Sequence, residues 1–210
     1  MNAISFAGRV AIVTGAGRGL GREFAKLLAD RGASVLVNDV GVSVDSHRYV
    51  SDSDSDVTDP AQIVTEEIRA AGGSAIANRA DVTDSAGVAA LVEQAVSEWG
   101  RIDIVINNAG IVLRAPFLEL TPQTFSKSFD VHVVGAFNVS RAAWDHMLKQ
   151  GYGRILNVCS TNGVVFGIPE SAAYDAANVI FPQNRGIELV RRLAHALAPN
   201  VRGCGRPMPS

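Results

Sequence analysis

Cysteine is nearly absent from this chain, with Cys159 and Cys204 the only two in 210 residues. Two cysteines make no disulfide framework, so stability has to come from a packed core. Aromatic residues are scarce as well, at 6% against 20 glycines, a balance suited to many tight turns. No run approaches the roughly 18 consecutive apolar residues of a membrane span, and nothing near Met1 reads as a secretory signal. Neither sign of charge dominates: 19 Lys+Arg against 21 Asp+Glu leave a formal net charge of −2, which speaks against a polyanion binder. Arg185, Arg191, Arg192, Arg202 and Arg206 make the end of the chain basic. They are isolated and lack interleaved aromatics, so no nucleic-acid partner is expected. These absences leave a soluble, cytoplasmic protein as the expectation, folded as a single domain over residues 1–210 with 47% hydrophobic residues to fill its core.

Short apolar runs alternate with longer amphipathic stretches. Residues 9–14 (RVAIVT), 33–38 (ASVLVN), 74–78 (SAIAN), 103–107 (DIVIN) and 154–159 (RILNVC) are rich in Val and Ile and lack a sustained alternation of apolar and polar positions. Strands covered on both faces read this way, which points to a parallel sheet. Between them, 19–30, 60–71, 84–99 and 122–150 carry apolar residues at helical spacing. Thr121 is the expected N-cap of the last, with Pro122 at its first position and Gly151 at its end. A β-α-β-α order with right-handed crossovers gives an α/β fold, a Rossmann-like doubly wound parallel sheet with helices on both faces. Residues 41–59 break the rhythm and read as a Ser/Asp-rich, mobile loop. Asp52, Asp54 and Asp56 have the alternate spacing of a calcium loop. Val57 stands where the turn glycine belongs and Ile63 where the bidentate glutamate belongs, so no metal site is read here.

The glycine-rich run Thr14-Gly15-Ala16-Gly17-Arg18-Gly19-Leu20-Gly21 joins the first strand to the first helix. Glycine lets backbone approach a pyrophosphate, and the helix start supplies free N–H groups and a positive dipole end. Asp39 ends the second strand eighteen residues beyond Gly21, near the offset of a carboxylate that binds the adenosine ribose. Such a carboxylate repels a 2′-phosphate and favours NAD over NADP. Arg18 argues the other way, since a guanidinium pairs with phosphate, but it can turn to solvent at little cost. Asp39 therefore decides for NAD.

With these residues the chain resembles the short-chain dehydrogenase/reductase family over about residues 6–177. Thr14, Gly15, Gly19 and Gly21 match its Thr-Gly-x-x-x-Gly-x-Gly pattern, and Asn107-Asn108-Ala109-Gly110 matches its Asn-Asn-Ala-Gly motif. The surrounding wording, such as GRIDIVINNAGI and VHVVGAF, is most similar to the hydroxyacyl-CoA dehydrogenase domain of multifunctional enzyme type 2 proteins. The resemblance implies an NAD(P)-dependent oxidoreductase acting on a small secondary alcohol or ketone, with 3-hydroxyacyl thioesters and steroid-like alcohols as candidates. It implies a cofactor site made by Gly15, Arg18, Gly19, Leu20, Gly21, Asp39, Asp81, Val82, Asn108, Ala109 and Gly110. It also implies a homodimer or tetramer built on the long helices after the fourth and fifth strands.

The family's catalytic set is Asn, Ser, Tyr and Lys. A secondary alcohol must lose its hydroxyl proton as hydride leaves, so a base is required. A tyrosine, ordinarily near pKa 10, serves when a cation stabilises its phenolate. The tyrosine position falls on Tyr174 and the serine position on Ser160, with Thr161 as the second hydroxyl nearby. The asparagine position falls on His132, whose imidazole can relay a proton; packing alone is the other reading. The lysine position falls on Asn178, which carries no charge. Lys26, Lys127 and Lys149 are the chain's lysines, and all precede Tyr174. Arg185 is the nearest downstream cation, but Pro182 would break the helix before it. Residues 178–210 form an atypical tail without an apolar run fit for a strand, so the family's two further strands are expected to be missing. A second reading therefore stands beside the enzyme: a nucleotide-binding pseudoenzyme or truncated paralogue without turnover.

Overall fold

The computed structural model describes residues 4–41, 43–45, 48–50, 59–162, 165, 167 and 169–179. Five parallel strands form one sheet: β1 (Val10–Thr14), β2 (Ser34–Asn38), β5 (Ser74–Asn78), β6 (Ile104–Asn107) and β7 (Arg154–Asn157), in the order β5-β2-β1-β6-β7. Val10 pairs with Ser34 on one side of β1, and Ala11 with Ile104 on the other. The strand order reverses at β1, between β2 and β6, and an open α/β sheet offers a crevice beyond the strand ends at that point.

Side-chain alternation along the strands builds two cores. Val10, Ile12, Leu36 and Val105 face α3 (Ser85–Trp99) and α5 (Ala136–Lys149), meeting Val88, Leu91, Val92 and Val139. Ala11, Val13, Val35, Val37 and Ile106 face α1 (Gly19–Asp30) and α2 (Pro60–Ala70), meeting Ala25, Leu28, Val64 and Ile68. Each fully buried Val, Leu or Ile contributes roughly 1.5–3 kcal/mol, so a one-residue slip of β1 would put each side chain against the wrong layer. The doubly wound parallel sheet expected from the sequence is present.

The helix starts follow local chemistry. Asp59 accepts the N–H groups of Ala61 (3.0 Å) and Gln62 (3.2 Å) ahead of Pro60 at the first helical position of α2. Thr121 caps α4 (Pro122–Phe129) by accepting the N–H of Thr124 at 3.1 Å. Two expectations need correction. The helix over 122–150 is not α-helical throughout: α4 passes through a π-helical segment, Asp130–Gly135, before α5 begins. The wider turn lies where Gly135 lets the Val82 side chain come close; a Cβ there would stand 2.6 Å from Val82 Cγ2. Apolar spacing cannot show one extra residue per turn. Within 41–59, expected to be a loop, β3 (Ser43–Asp45) and β4 (Arg48–Val50) form an antiparallel hairpin. The Ser/Asp composition hid the Val and Tyr residues that suit strands. Most of the tail, with Pro182, Arg185 and Cys204, lies outside the described residues, as does the Asp52-Asp54-Asp56 run.

Candidate active site

The end of β1 is tied to the end of β6. Thr14, 1% exposed, accepts the N–H groups of Asn108 (3.1 Å) and Ala109 (3.0 Å) on its hydroxyl oxygen. The Asn108 side chain returns the tie, donating to the carbonyls of Thr14 and Gly15, both at 3.0 Å. Gly15 has φ +61°, and a Cβ there would lie 2.9 Å from Ala109 Cα, so a side chain is excluded twice over. A Cβ at Gly21 would run into the Gly15 carbonyl and the Asn108 amide, which is why α1 can start so close beneath the loop.

Asp39 closes the other wall. Its carboxylate accepts the N–H of Gly17 on Oδ2 and of Gly41 on Oδ1, each at 2.9 Å. Asp81 holds its own turn by accepting the N–H and hydroxyl of Thr83, both at 2.8 Å. Asn138 reaches from α5 to pin the Val82 carbonyl at 3.0 Å. Together these segments enclose a cavity of about 340 Å³ at the strand ends. Gly15, Arg18, Gly19, Asp39, Asp81, Val82, Asn108, Ala109 and Gly110 line it. Leu20 is 56% exposed and Gly21 is buried under the loop; neither is in the wall. Asn38, Val40, Ala80, Ile111 and Val131 also line it and were not foreseen. Asn38 and Val40 flank Asp39, and Ile111 follows Gly110, so adjacency to each motif was the available signal.

A second cavity, about 210 Å³, shares Asn108 and Gly110 with the first and is bounded by His132, Cys159, Tyr174 and Asn178. The π-helical segment carries His132, and α6 (Ala172–Val179) carries Tyr174 and Asn178. The two rings meet edge to face with centroids 5.3 Å apart. Ser160 is not in this wall. Its hydroxyl oxygen accepts the N–H of Asn162 at 3.1 Å, and its own N–H donates to Asn178 Oδ1 at 3.0 Å. Burial raises the pKa of Cys159, so its thiol stays protonated. Among the described residues, no group of three His, Cys, Asp or Glu could hold a metal ion, and no helix is long and apolar enough to cross a membrane.

Burial also holds the pKa of His132 below its usual 6.5, and the weaker opposing effect is its hydrogen bond with the Ile111 backbone. His132 Nε2 lies 2.9 Å from the Ile111 carbonyl and 3.1 Å from its N–H, and its tautomer decides which bond forms. Below about pH 6.5 the unfolded chain takes up a proton that the folded chain refuses, so stability is full above that range and declines beneath it. Urea midpoints should therefore fall between about pH 7 and pH 5, and His132→Gln should flatten that slope. An equal slope in both proteins would exclude His132 as its source.

The short chain dehydrogenase family model matches residues 9–202. The peroxisomal hydratase-dehydrogenase-epimerase of Saccharomyces cerevisiae is 40% identical over 176 residues, 84% of this chain and 18% of that protein. Peroxisomal multifunctional enzyme type 2 of Mus musculus is 44% identical over 176 residues, again 84% of this chain and 22% of its own length. The match thus spans less than a quarter of either relative. A solved 7α-hydroxysteroid dehydrogenase, complexed with NADH and 7-oxo glycochenodeoxycholic acid, superposes with a TM-score of 0.76 at 30% identity, covering 94% of this chain and 69% of that one. The cytoplasmic expectation is corrected by these names: both relatives are peroxisomal, and they point to that location. Such addresses are short receptor-read signals, which composition does not reveal. With the family match extending through both cavities, the chain belongs to the short-chain dehydrogenases, oxidoreductases that use a nicotinamide cofactor.

Proposed function

We propose that this chain transfers hydride between a secondary alcohol or ketone and a nicotinamide cofactor, with NAD preferred. The observation that carries the reading is the junction of the two cavities at Asn108 and Gly110, which sets Tyr174 and His132 beside the glycine-loop cleft. The residues fit a dinucleotide: the loop is stripped of side chains where a Cβ would collide, and it lies between a helix start and a carboxylate at a strand end. When bound, the nicotinamide supplies the hydride acceptor or donor. Tyr174 as phenolate takes the substrate hydroxyl proton, and as phenol it gives the proton back in the reverse direction. Ser160, next in the chain to the wall residue Cys159, donates its hydroxyl hydrogen to the substrate oxygen while its own oxygen accepts from Asn162, and His132, held neutral, assists the relay.

Two substrate classes are candidates: hydroxysteroids, which the solved relative's name supports, and 3-hydroxyacyl thioesters, which the sequence resemblance implies. Assay of the purified protein with both, following NADH absorbance, distinguishes them. Homo-oligomer formation belongs to the same reading, since Phe125 and Phe137 leave an apolar surface on α4 and α5. The alternative is a chain that binds nucleotide without turnover. It is favoured by Asn178, because no lysine or arginine is among the described residues lining the second cavity. NADH fluorescence titration alongside the assay separates the two: binding without turnover of either substrate class overturns the enzyme.

NAD preference rests on Asp39. Loss of its charge-assisted hydrogen bonds in Asp39→Ala should weaken NADH binding by about tenfold or more and relax the rejection of NADPH. Tighter binding of NADPH than NADH to the unmodified protein would show that Arg18, not Asp39, sets the choice.

A further inference from the structure

We propose that Asn178 is a positioning residue whose side-chain amide ties the Ser160 turn to the Tyr174 helix. Asn178 is 4% exposed, and both ends of its amide are engaged. Oδ1 accepts the N–H of Ser160 at 3.0 Å, and Nδ2 donates to the Tyr174 carbonyl at 2.9 Å. Ser160 stands three residues past the end of β7, whereas Asn178 lies one turn along α6 from Tyr174. One planar group therefore bridges the loop after the last described strand and the helix that carries the tyrosine. Ser160 is held from its other side as well, by the Asn162 N–H on its hydroxyl oxygen. Both Tyr174 and Asn178 line the second cavity, so the bridge runs along its wall.

The bonding pattern suits an amide and not an ammonium. The Ser160 N–H needs an acceptor; an amide carries one beside its donor, whereas a lysine ammonium has only donors. The role of this position is thus geometric: it fixes the separation of the serine turn and the tyrosine. Misplacement of reacting groups by about 1 Å can cost on the order of a hundredfold in rate. The positioning role rests on the assignment of Tyr174 and Ser160 to catalysis made above; the bridge itself does not.

The test pairs amide hydrogen exchange with kinetics. In Asn178→Ala, exchange at the Ser160 N–H should accelerate about five- to tenfold. The Ala16 N–H, held by the Asn38 carbonyl at 2.8 Å, should keep its rate. At the same time kcat should fall about ten- to hundredfold, with KM and NADH binding unchanged. Asn178→Asp returns an oxygen acceptor to Ser160 and should recover slow exchange; Asn178→Leu, similar in size, should not. Unchanged exchange at Ser160 in the alanine variant overturns the bridge. Faster exchange with unchanged kcat overturns the positioning role, and so does a parallel loss of Ala16 protection and NADH binding, which marks general loosening. If the unmodified chain turns over nothing, or Tyr174→Phe is as active as it, the catalytic assignment fails and the positioning role with it. The exchange result then still reports the bridge, so the two failures are told apart.

Discussion

Tyr174→Phe should lower turnover by about 10²–10⁴-fold while leaving NADH affinity and the unfolding midpoint where they are. The substitution removes a single oxygen. The ring stays, and with it the edge-to-face contact with His132 at 5.3 Å between centroids. The nucleotide cleft is built mainly from the ends of β1, β2, β5 and β6 and the turns after them, and Tyr174 is not among its lining residues. Any loss is therefore a loss of proton transfer at the substrate oxygen. The same steady-state assay on His132→Gln supplies the contrast, since a relay that assists should matter less than the base itself. Full activity in Tyr174→Phe would move the base elsewhere and end the proposed mechanism.

Asp103→Ala should destabilise the fold by about 2–4 kcal/mol, measured as a fall in the urea midpoint at neutral pH. The Asp103 side chain has no solvent exposure and sits just before β6. It accepts from Arg9 at 2.7 Å, from Arg101 twice at 2.7 Å, and from the buried N–H of Val10 at 3.0 Å. Its own N–H and carbonyl join the Val10 carbonyl and the Arg154 N–H, so one residue gathers the starts of β1, β6 and β7. Arg9 also lies 3.9 Å over the Tyr152 ring. Alanine would leave the Val10 N–H without an acceptor and two guanidinium groups without a counter-charge.

Burial by itself would raise the pKa of Asp103, but the hydrogen bonds from Arg101, Val10 and Arg9 outweigh it and hold the carboxyl below its usual 3.8. The unfolded chain then protonates first as acid is added. The contribution of Asp103 is whole above about pH 4 and is lost as pH falls through the lower folded value. Asp103→Asn should remove that acid-side loss while retaining most of the side-chain volume. A midpoint shift worth less than about 0.5 kcal/mol in Asp103→Ala would reduce the cluster to surface decoration.

Features governed by near neighbours in the chain were legible in the sequence. The Val-rich runs marked strands buried on both faces, Thr121 and Pro122 marked a helix start, and Gly15 and Asp39 pointed to one cleft because a strand-loop-helix unit places them so. What escaped depends on contacts between distant segments. The π turn around His132 lies where Val82 packs close to Gly135 across the fold, and spacing within 122–150 holds no trace of it. Asn178 read as a missing charge, since only the folded chain brings Ser160 N–H to its amide. Asn38 escaped because a buried amide that spans to Asn78 and Ala80 looks, in sequence, like any polar residue at a strand end.

The reciprocal tie between Thr14 and Asn108 has a thermodynamic consequence. It makes the glycine-rich loop part of the same rigid body as β1 and β6, with four hydrogen bonds across the seam. The entropy of ordering that loop is therefore lost when the chain folds, not when a nucleotide arrives. A mould already set gains nearly the full value of each contact it makes with its ligand. Part of the nucleotide affinity is thus set at the junction of two strands, before any ligand arrives.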